Sequence, residues 1–183
     1  MNIIVFFSGS GTNLEAIIKS QDRFKYNVLA AFTNNPRAKG VSICKKYDIE
    51  CCILDHNQFS SRKDFDTEIG KLLADFDVDY LILAGYMRIL GEDFVADWQG
   101  QIINIHPSLL PKYPGLNTHQ RVLEAKEEAH GTTIHFVTNE LDSGPIIRQE
   151  SINIEPSDTQ ESLMDRIKEL ENKIYPETIS QLP

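Results

Sequence analysis

Short apolar runs recur through the first part of the chain and constrain its fold more than any other feature. They lie at Ile3–Phe7, Val28–Phe32, Cys51–Leu54, Tyr80–Ala84 and Ile102–Ile105. They are largely non-alternating, which is typical of strands buried on both faces of a parallel sheet. Segments with helical spacing separate them, at Leu14–Ser20, Val41–Tyr47, Phe65–Asp75 and Phe94–Trp98. This alternation predicts an α/β fold with a doubly wound, mostly parallel sheet.

The pattern changes in the C-terminal half of the chain. The stretch "GTTIHFVT" alternates between apolar and polar residues, and "GPIIRQESINI" follows it after a short loop. This predicts antiparallel strands at one edge of the sheet. From Asp158 onward, apolar residues at helical spacing predict a closing helix, capped by Ser157 or Asp158 and bent or broken near Pro176. No repeat or linker divides the chain, so we expect residues 1–183 to form a single domain.

Charge and cysteine usage narrow the classes of partner. The chain has 183 residues and a formal net charge of −9, with its basic residues scattered, so we expect no nucleic-acid partner. The opening apolar run is too short to span a bilayer, and we expect no membrane partner. Cys44, Cys51 and Cys52 match neither a disulfide framework nor a paired C-x-x-C zinc site. A cytoplasmic protein without a bound metal is therefore predicted.

The first loop, "SGSGTNL", joins the first predicted strand to the first predicted helix. Small residues there let backbone N–H groups and the helix N-terminus converge on an anion, so Gly11, Thr12 and Asn13 form a candidate phosphate site. The alternative is a tight turn in which Thr12 or Asn13 only caps the helix. Leu14 occupies the position of the third glycine of a dinucleotide fingerprint, which argues against a nicotinamide cofactor.

Asn104 and His106 stand at the end of the apolar run in "IINIHPSLLPKYPG". Residues i and i+2 of a strand point to the same side, so both side chains should lie at the carboxyl edge of the sheet. Pro107 restricts the backbone of His106 to extended conformations. An amide and an imidazole together can stabilise an oxyanion, with Asp142 as a candidate to orient the imidazole. The alternative is a capping asparagine and a structural histidine.

Four stretches carry a resemblance to a known family: "FSGSGTNL", "LAGYMRIL", "INIHPSLLPKYPGL" and "HGTTIHFVTNELDSGPII". In that order they resemble the folate-dependent phosphoribosylglycinamide formyltransferases of purine biosynthesis. The resemblance implies a Rossmann-like fold, with transfer of a formyl group from 10-formyltetrahydrofolate to the amine of phosphoribosylglycinamide. It implies no tightly bound cofactor and no metal. The trio Asn104, His106 and Asp142 matches the catalytic residues of this family.

The resemblance also implies roles for residues that sequence patterns alone do not single out. It assigns the substrate phosphate to Gly11, Thr12 and Asn13 with Arg62 as a charge partner, and places Glu171 near the substrate amine. Taken alone, Arg62 in "SSRKDFD" and Glu171 in "DRIKELENK" are ordinary charged residues of exposed helices.

Folate is expected to lie along "YMRIL" and "VTNELD". The expected folate-binding residues are Met87, Arg88, Ile89, Leu90, Asn139, Glu140 and Leu141. The apolar residues would contact the pterin, backbone groups would read its polar edge, and the guanidinium of Arg88 suits the carboxylates of the glutamate tail. Core packing explains Ile89 and Leu90 equally well. His119 and His135 flank the same motifs and are given no catalytic role, although His119 is a candidate to line the site.

Two other functions remain open at this stage. Formyltetrahydrofolate deformylase hydrolyses the same donor and shares the catalytic set, and a non-catalytic folate- or phosphate-binding protein would use the same scaffold. Methionyl-tRNA formyltransferase needs a basic face, which this acidic chain does not offer. Small-molecule substrates are the expected partners, with the chain acting as a monomer or a homodimer.

Overall fold

The computed structural model describes all 183 residues and shows alternating strands and helices. The strands are β1 Asn2–Phe7, β2 Asn27–Thr33, β3 Glu50–Ile53, β4 Tyr80–Leu83, β5 Ile102–His106, β6 Ala129–Phe136 and β7 Ile146–Asn153. The helices are α1 Thr12–Phe24, α2 Gly40–Lys46, α3 Arg62–Leu73, α4 Glu92–Asp97, α5 Thr118–Glu124 and α6 Gln160–Ile179. All five predicted strands and all four internal helices are confirmed within a few residues. Helix α5 and a short 3-10 helix at His56–Gln58 were not predicted.

The seven strands form one sheet in the order β3-β2-β1-β4-β5-β6-β7. Strands β1 to β5 pair in parallel, whereas β6 is antiparallel to both β5 and β7. The predicted fold, a mostly parallel doubly wound sheet with antiparallel strands in the C-terminal half, is therefore confirmed. The chain leaves β1 in one direction to β2 and later returns to its other side at β4. This switch point is where open α/β sheets place their ligands, beyond the carboxyl ends of the strands.

Each face of the sheet is covered by an apolar cluster. Ile3, Val5 and Phe7 of β1 pack with α1 and α6 on one face, while Ile4 and Phe6 pack with α3 and α4 on the other. All five of these side chains are almost completely buried. Burial on both faces explains why the strand reads as a continuous apolar run, since neither side of it meets water.

Helix α6 differs from its prediction in two ways. Its N-cap is Thr159, which forms a reciprocal capping box with Ser162, and not Ser157 or Asp158. The helix also continues through Pro176 to Ile179, so the expected break is wrong. Proline removes one backbone donor from a helix, and burial of this segment compensates. Tyr175 is fully buried, and its hydroxyl lies 3.0 Å and 3.1 Å from the carbonyl oxygens of Leu83 and Ile103.

No helix combines the length and the apolar character that crossing a membrane requires.

Candidate active site

Asn104, His106 and Asp142 converge at the carboxyl end of β5. Nδ1 of His106 lies 3.3 Å from Oδ2 of Asp142, and both side chains are only 8% exposed. Nε2 of His106 lies 3.0 Å from the carbonyl oxygen of Tyr113, which can only accept a hydrogen bond. The contact with Tyr113 is a hydrogen bond only when Nε2 carries a proton, and Nδ1 lies within ion-pair distance of the Asp142 carboxylate. The geometry therefore lets a carboxylate orient the imidazole and pair with it when it is charged.

Two loops hold Asp142 against His106. Asp142 lies in the loop between β6 and β7 and adopts a left-handed conformation, with φ of 50°. Its Oδ2 accepts a hydrogen bond of 2.8 Å from the backbone N–H of Gly115, which ends the loop that follows His106. A single carboxylate oxygen thus joins both loops to the imidazole. Asp142 is therefore held in place by contacts with residues far away in the sequence, which no local sequence pattern indicates.

His135 also belongs to this cluster, which sequence reasoning missed. It is 2% exposed, and its Nε2 lies 3.2 Å from Nδ2 of Asn104 and 3.8 Å from Oδ1 of Asp142. Register explains the contact, because Asn104 of β5 is paired directly with His135 of β6. The alternation in "GTTIHFVT" shows which residues share a face, but it does not give the register of the pairing. His119 is hydrogen-bonded to buried His130 at 2.9 Å and makes no hydrogen bond with the trio.

The first loop has the geometry of a tight strand-to-helix turn with free backbone donors. Gly11 is the N-cap of α1 with φ of 76°, and a Cβ atom there would lie 2.8 Å from Cα of Gly40. Only glycine fits such a position without strain. Thr12 is exposed at the first turn, and neither it nor Asn13 caps the helix through its side chain. The capping alternative is therefore wrong, and the backbone N–H groups of this turn remain available to an anion.

Asn13 and Glu171 form a buried pair across the molecule. Nδ2 of Asn13 donates a hydrogen bond of 3.0 Å to Oε2 of Glu171, and Oδ1 of Asn13 is buried without a partner. Glu171 is only 6% exposed, so its interpretation as an ordinary charged residue of an exposed helix is wrong. Because the amide nitrogen of Asn13 is committed to Glu171, a phosphate would meet its backbone N–H.

Thr132 connects Glu171 to the strand that carries His106. Its hydroxyl lies 2.9 Å from the carbonyl oxygen of His106 and 3.1 Å from Oε1 of Glu171. Thr132 is the donor in both contacts, and its single hydroxyl hydrogen is shared between the two oxygens. Burial raises the pKa of Glu171, while its hydrogen bonds with Asn13 and Thr132 act in the opposite direction. Burial is the larger effect, so the pKa of Glu171 lies above its ordinary value.

Arg62 stands apart from the first loop. It is exposed in the first turn of α3 and makes no hydrogen bond or ion pair within the chain. Asp66, one turn later in the same helix, is buried and accepts a hydrogen bond of 2.7 Å from the backbone N–H of Gly91. Burial raises the pKa of Asp66, and the charges of Arg62 and Arg88 act against that rise. The structure does not bring Arg62 into contact with Gly11, Thr12 or Asn13.

The loop after β4 offers apolar side chains to solvent. Met87 and Ile89 are 67% and 57% exposed, so core packing does not explain Ile89. It does explain Leu90, which is buried in the cluster beneath α3 and α4. The guanidinium of Arg88 lies over the ring of Phe65, with Cζ 4.9 Å from the ring centroid.

Exposed residues also occur in the β6–β7 loop, at Asn139, Glu140 and Leu141. Leu116, which sequence reasoning did not single out, directly follows Gly115 in the chain and is 68% exposed. The sequence did contain a signal for Leu116, because an apolar side chain in a proline- and glycine-rich loop has no obvious core to pack in. Exposed apolar side chains on separate loops around a polar centre are typical of a ligand cleft.

Ser8 ties the first loop to the loop after β4. Its backbone N–H donates to the carbonyl of Gly85 at 3.1 Å, and its hydroxyl accepts from the N–H of Met87 at 2.8 Å. The same hydroxyl donates to Oδ1 of buried Asn34 at 2.6 Å. The two loops that flank the switch point are thus held together by hydrogen bonds at their base.

Comparison with known proteins places these features in a family. The formyl transferase family model matches residues 1–179. Phosphoribosylglycinamide formyltransferase of Escherichia coli is 42% identical over 182 residues, which cover 98% of this chain and 86% of that protein. The trifunctional purine biosynthetic protein adenosine-3 of Gallus gallus is 42% identical over 179 residues, which cover 96% of this chain and 18% of that protein.

Solved structures agree with the sequence comparisons. The phosphoribosylglycinamide formyltransferase of Coxiella burnetii superposes with a TM-score of 0.94 at 45% identity, covering 98% of this chain and 85% of that one. The corresponding enzyme of Bacillus halodurans superposes with a TM-score of 0.95 at 40% identity, covering 100% and 95%. Similarity in sequence and in structure thus extends over nearly the whole chain. The chain therefore belongs to the formyl transferase family, together with the phosphoribosylglycinamide formyltransferases, and is an enzyme of that family.

Proposed function

We propose that the chain transfers the formyl group of 10-formyltetrahydrofolate to the amine of 5′-phosphoribosylglycinamide, in de novo purine biosynthesis. The observation that carries this proposal is the convergence of Asn104, His106 and Asp142 at the carboxyl edge of the sheet. In the sheet, β4 lies between β1, which precedes the first loop, and β5, which carries Asn104 and His106, so the first loop, the loop after β4 and the trio share the carboxyl edge of the parallel strands. One acceptor and one donor can therefore meet at the trio.

The chemical step is nucleophilic acyl transfer. The substrate amine attacks the formyl carbon, and the carbonyl oxygen gains negative charge as the tetrahedral intermediate forms. An N–H of Asn104 and the imidazolium of His106 stabilise that charge, since preorganised donors are worth most where charge develops. Asp142, 3.3 Å from His106, would orient the imidazole and pair with it when it is charged, and would accept a proton from the amine directly or through water. The proton taken from the amine passes to the folate nitrogen as its C–N bond breaks, so that tetrahydrofolate leaves and the formyl group stays on the substrate nitrogen.

The amine substrate is proposed to bind from the first loop toward α6. Its phosphate would take backbone N–H groups of Gly11, Thr12 and Asn13 at the N-terminus of α1, with Arg62 as a charge partner after movement of its flexible side chain. Glu171 would lie near the substrate amine. The partnerless Oδ1 of Asn13 supports this placement, because a buried acceptor without a donor is rare and a substrate N–H or O–H would satisfy it.

The folate is proposed to occupy the cleft between the β4 loop and the β6–β7 loop. Met87, Ile89 and Leu141 are exposed there and offer apolar contact to the pterin. Backbone groups of Arg88, Leu90, Asn139, Glu140 and Asp142 would read its polar edge. The guanidinium of Arg88 is suited to the glutamate carboxylates, as its planar fork binds carboxylates in a bidentate manner.

The reaction is proposed to need no tightly bound cofactor and no metal, with 10-formyltetrahydrofolate acting as a co-substrate. We further propose that it runs in the cytoplasm, where the three free cysteines at 44, 51 and 52 would stay reduced. Both substrates are small molecules, and the chain acts on them as a monomer or a homodimer.

The competing reaction is hydrolysis of the same donor. A deformylase would release formate from 10-formyltetrahydrofolate without any amine. The test incubates purified protein with 10-formyltetrahydrofolate, with and without phosphoribosylglycinamide, and measures the deformylated folate, free formate and formylated amine. We expect turnover only with the amine, with one formylated product for each folate released. Equal turnover in its absence would assign the chain to the hydrolases, and binding of both ligands without turnover would make it a binding protein.

A further inference from the structure

His135 has one defined hydrogen on its ring. Nδ1 lies 2.9 Å from the carbonyl oxygen of Phe136, which can only accept, so Nδ1 carries the proton. A neutral imidazole has a single N–H, which leaves Nε2 as an acceptor. Burial lowers the pKa of His135, with nearby His106 acting in the same direction and Asp142 and the Phe136 carbonyl acting against it. The neutral tautomer with a bare Nε2 is therefore the state that this site favours.

The bare Nε2 determines how the neighbouring amide is oriented. Asn104 offers either its NH2 group or its oxygen, and the two orientations differ by a half-turn of the amide plane. An acceptor 3.2 Å away selects the NH2 group, because two acceptors facing each other repel. No other group of the protein hydrogen-bonds to this amide. The choice between the two orientations thus rests on His135 alone.

We propose that His135 is a positioning residue for formyl transfer: by accepting one N–H of Asn104, it presents the other N–H of that amide, and not its oxygen, to the reacting formyl oxygen. This inference rests on the proposed function. Without the acceptor, the amide is free to turn over and place its oxygen beside the developing oxyanion, where it would repel the charge. A misplaced donor affects the transition state more than the bound substrate, because the oxygen is nearly neutral until the amine attacks.

Strand pairing explains why a histidine suits this position. Asn104 and His135 are direct cross-strand neighbours, so the distance between them is set by the sheet and not by a mobile loop. The backbone carbonyl of Phe136 holds the ring from the other side. Oδ1 of Asp142 lies 3.8 Å from Nε2, which is too far for a hydrogen bond and leaves the Asn104 amide as the partner.

The test compares two substitutions of similar size. In His135→Gln the side-chain oxygen reaches roughly the position of Nε2 and can accept from Asn104, whereas His135→Leu fills the space without an acceptor. We expect His135→Leu to lower kcat about tenfold or more while KM for both substrates changes by less than about threefold. His135→Gln should recover most of that kcat. Equal losses in the two variants, or a loss confined to KM, would overturn the proposal.

A second comparison separates positioning from general damage. In an Asn104→Ala background there is no amide to orient, so His135→Leu should lower kcat by no more than about twofold further. A full additional loss there would show that His135 acts independently of Asn104, which contradicts the proposal.

A spectroscopic measurement on the unsubstituted protein needs neither folding of a variant nor activity. Nitrogen-15 NMR of the His135 ring near neutral pH should show a protonated Nδ1 and an unprotonated Nε2. A proton on Nε2 would overturn the proposal even if formyl transfer is normal. Conversely, a bare Nε2 in a protein that transfers no formyl group would leave the Asn104 contact intact and refute the proposed function instead.

Discussion

The two halves of the sheet are built from different kinds of residue. In the parallel half, Ile3–Phe7 of β1 is apolar throughout and at most 1% exposed. In the antiparallel half, β6 buries His130, Thr132, Thr133 and His135, each at most 2% exposed. Burying polar groups is unfavourable unless they are hydrogen-bonded, and here their partners lie mainly on β5, on α6 and on the loops that surround the trio.

This difference suggests that the parallel half mainly stabilises the fold and that the antiparallel half mainly positions the groups that react. The parallel half gains its stability from apolar area removed from water, which is insensitive to the exact orientation of each group. In the antiparallel half, hydrogen bonds between buried polar groups determine which atom acts as a donor and which as an acceptor. The trio lies at β5, the strand that belongs to both halves. Substitutions in the first half should therefore change stability, and substitutions in the second should change turnover.

The largest effect on stability is expected from a cavity in the parallel half. Ile4 is 1% exposed in the cluster beneath α3 and α4. Ile4→Ala should lower the free energy of unfolding by about 2 to 5 kcal/mol, since it removes buried methyl groups and leaves a void. Denaturant unfolding measures the loss, and kcat of the folded fraction should stay near normal. The control is Ile53→Ala, which truncates the same side chain at a position 44% exposed and should change stability far less.

The largest effect on turnover is expected at the trio. His106→Ala and Asp142→Asn should each lower kcat/KM by roughly 3 kcal/mol or more in transition-state stabilisation, a factor of about a hundred or greater, while folate still binds. Steady-state kinetics and a folate-binding titration measure the two quantities. Lys112→Ala, in the same loop but paired with Glu127 at the surface, is the matched control and should leave turnover unchanged. Near-normal rates in either trio variant would refute the assigned roles.

An intermediate effect on stability is expected at Glu171. Glu171→Ala removes the partner of both Asn13 and Thr132 and should destabilise the protein by about 1 to 3 kcal/mol. Glu171→Gln keeps a donor and an acceptor and should be nearly neutral in stability. Comparable losses in the two variants would contradict the hydrogen-bond assignment.

Glu171 should also make the stability of the unsubstituted protein depend on pH. The raised pKa means that the folded state holds its proton at pH values where the unfolded chain, with an ordinary value of 4.5, has lost it. The stability contributed by this proton is therefore lost as pH rises from 4.5 toward the folded pKa. In Glu171→Gln, the free energy of unfolding should fall less as pH rises through this range. Melting curves recorded across pH would measure the difference. An unchanged pH profile would show that Glu171 is ionised in the folded protein.

The smallest effect is expected at Gly70, a partly exposed glycine of α3. A Cβ atom at Gly70 would meet no atom within 4 Å, and the residue lies inside the helix. Gly70→Ala should stabilise the protein by about 0.5 to 1 kcal/mol, because alanine loses less conformational entropy than glycine in a helix. Thermal melting measures the gain, and turnover should not change. A decrease in stability would indicate an unrecognised packing role on this face.

The sequence predicts the parallel half better than the antiparallel half, for a physical reason. Apolar runs report burial on both faces, so β1 to β5 are visible in the sequence. The i, i+2 spacing and Pro107 likewise place Asn104 and His106 at one edge. Register and long-range contacts leave no such local signal. His135 joins the site only through its pairing with Asn104.

Glu171 shows the same limit on a helix. Its charged surroundings in "DRIKELENK" are typical of an exposed face, yet the residue is buried and hydrogen-bonded to Asn13. Since Asn13 lies 158 residues earlier in the chain, no local pattern could indicate this contact. Pro176 shows the reverse, since a residue that usually ends a helix is tolerated where tertiary packing supports the segment. Local preference decides structure only where tertiary contacts do not override it.

The most direct test of the account is a double-mutant cycle on kcat/KM between His106 and Asp142, which lie 3.3 Å apart. If Asp142 works by pairing with the imidazole and orienting it, then adding Asp142→Asn to His106→Ala should lower kcat/KM much less than Asp142→Asn does alone. The account predicts a coupling energy of about 1 kcal/mol or more between the two sites. Fully additive losses would contradict it, because they would mean that the imidazole and the carboxylate act separately.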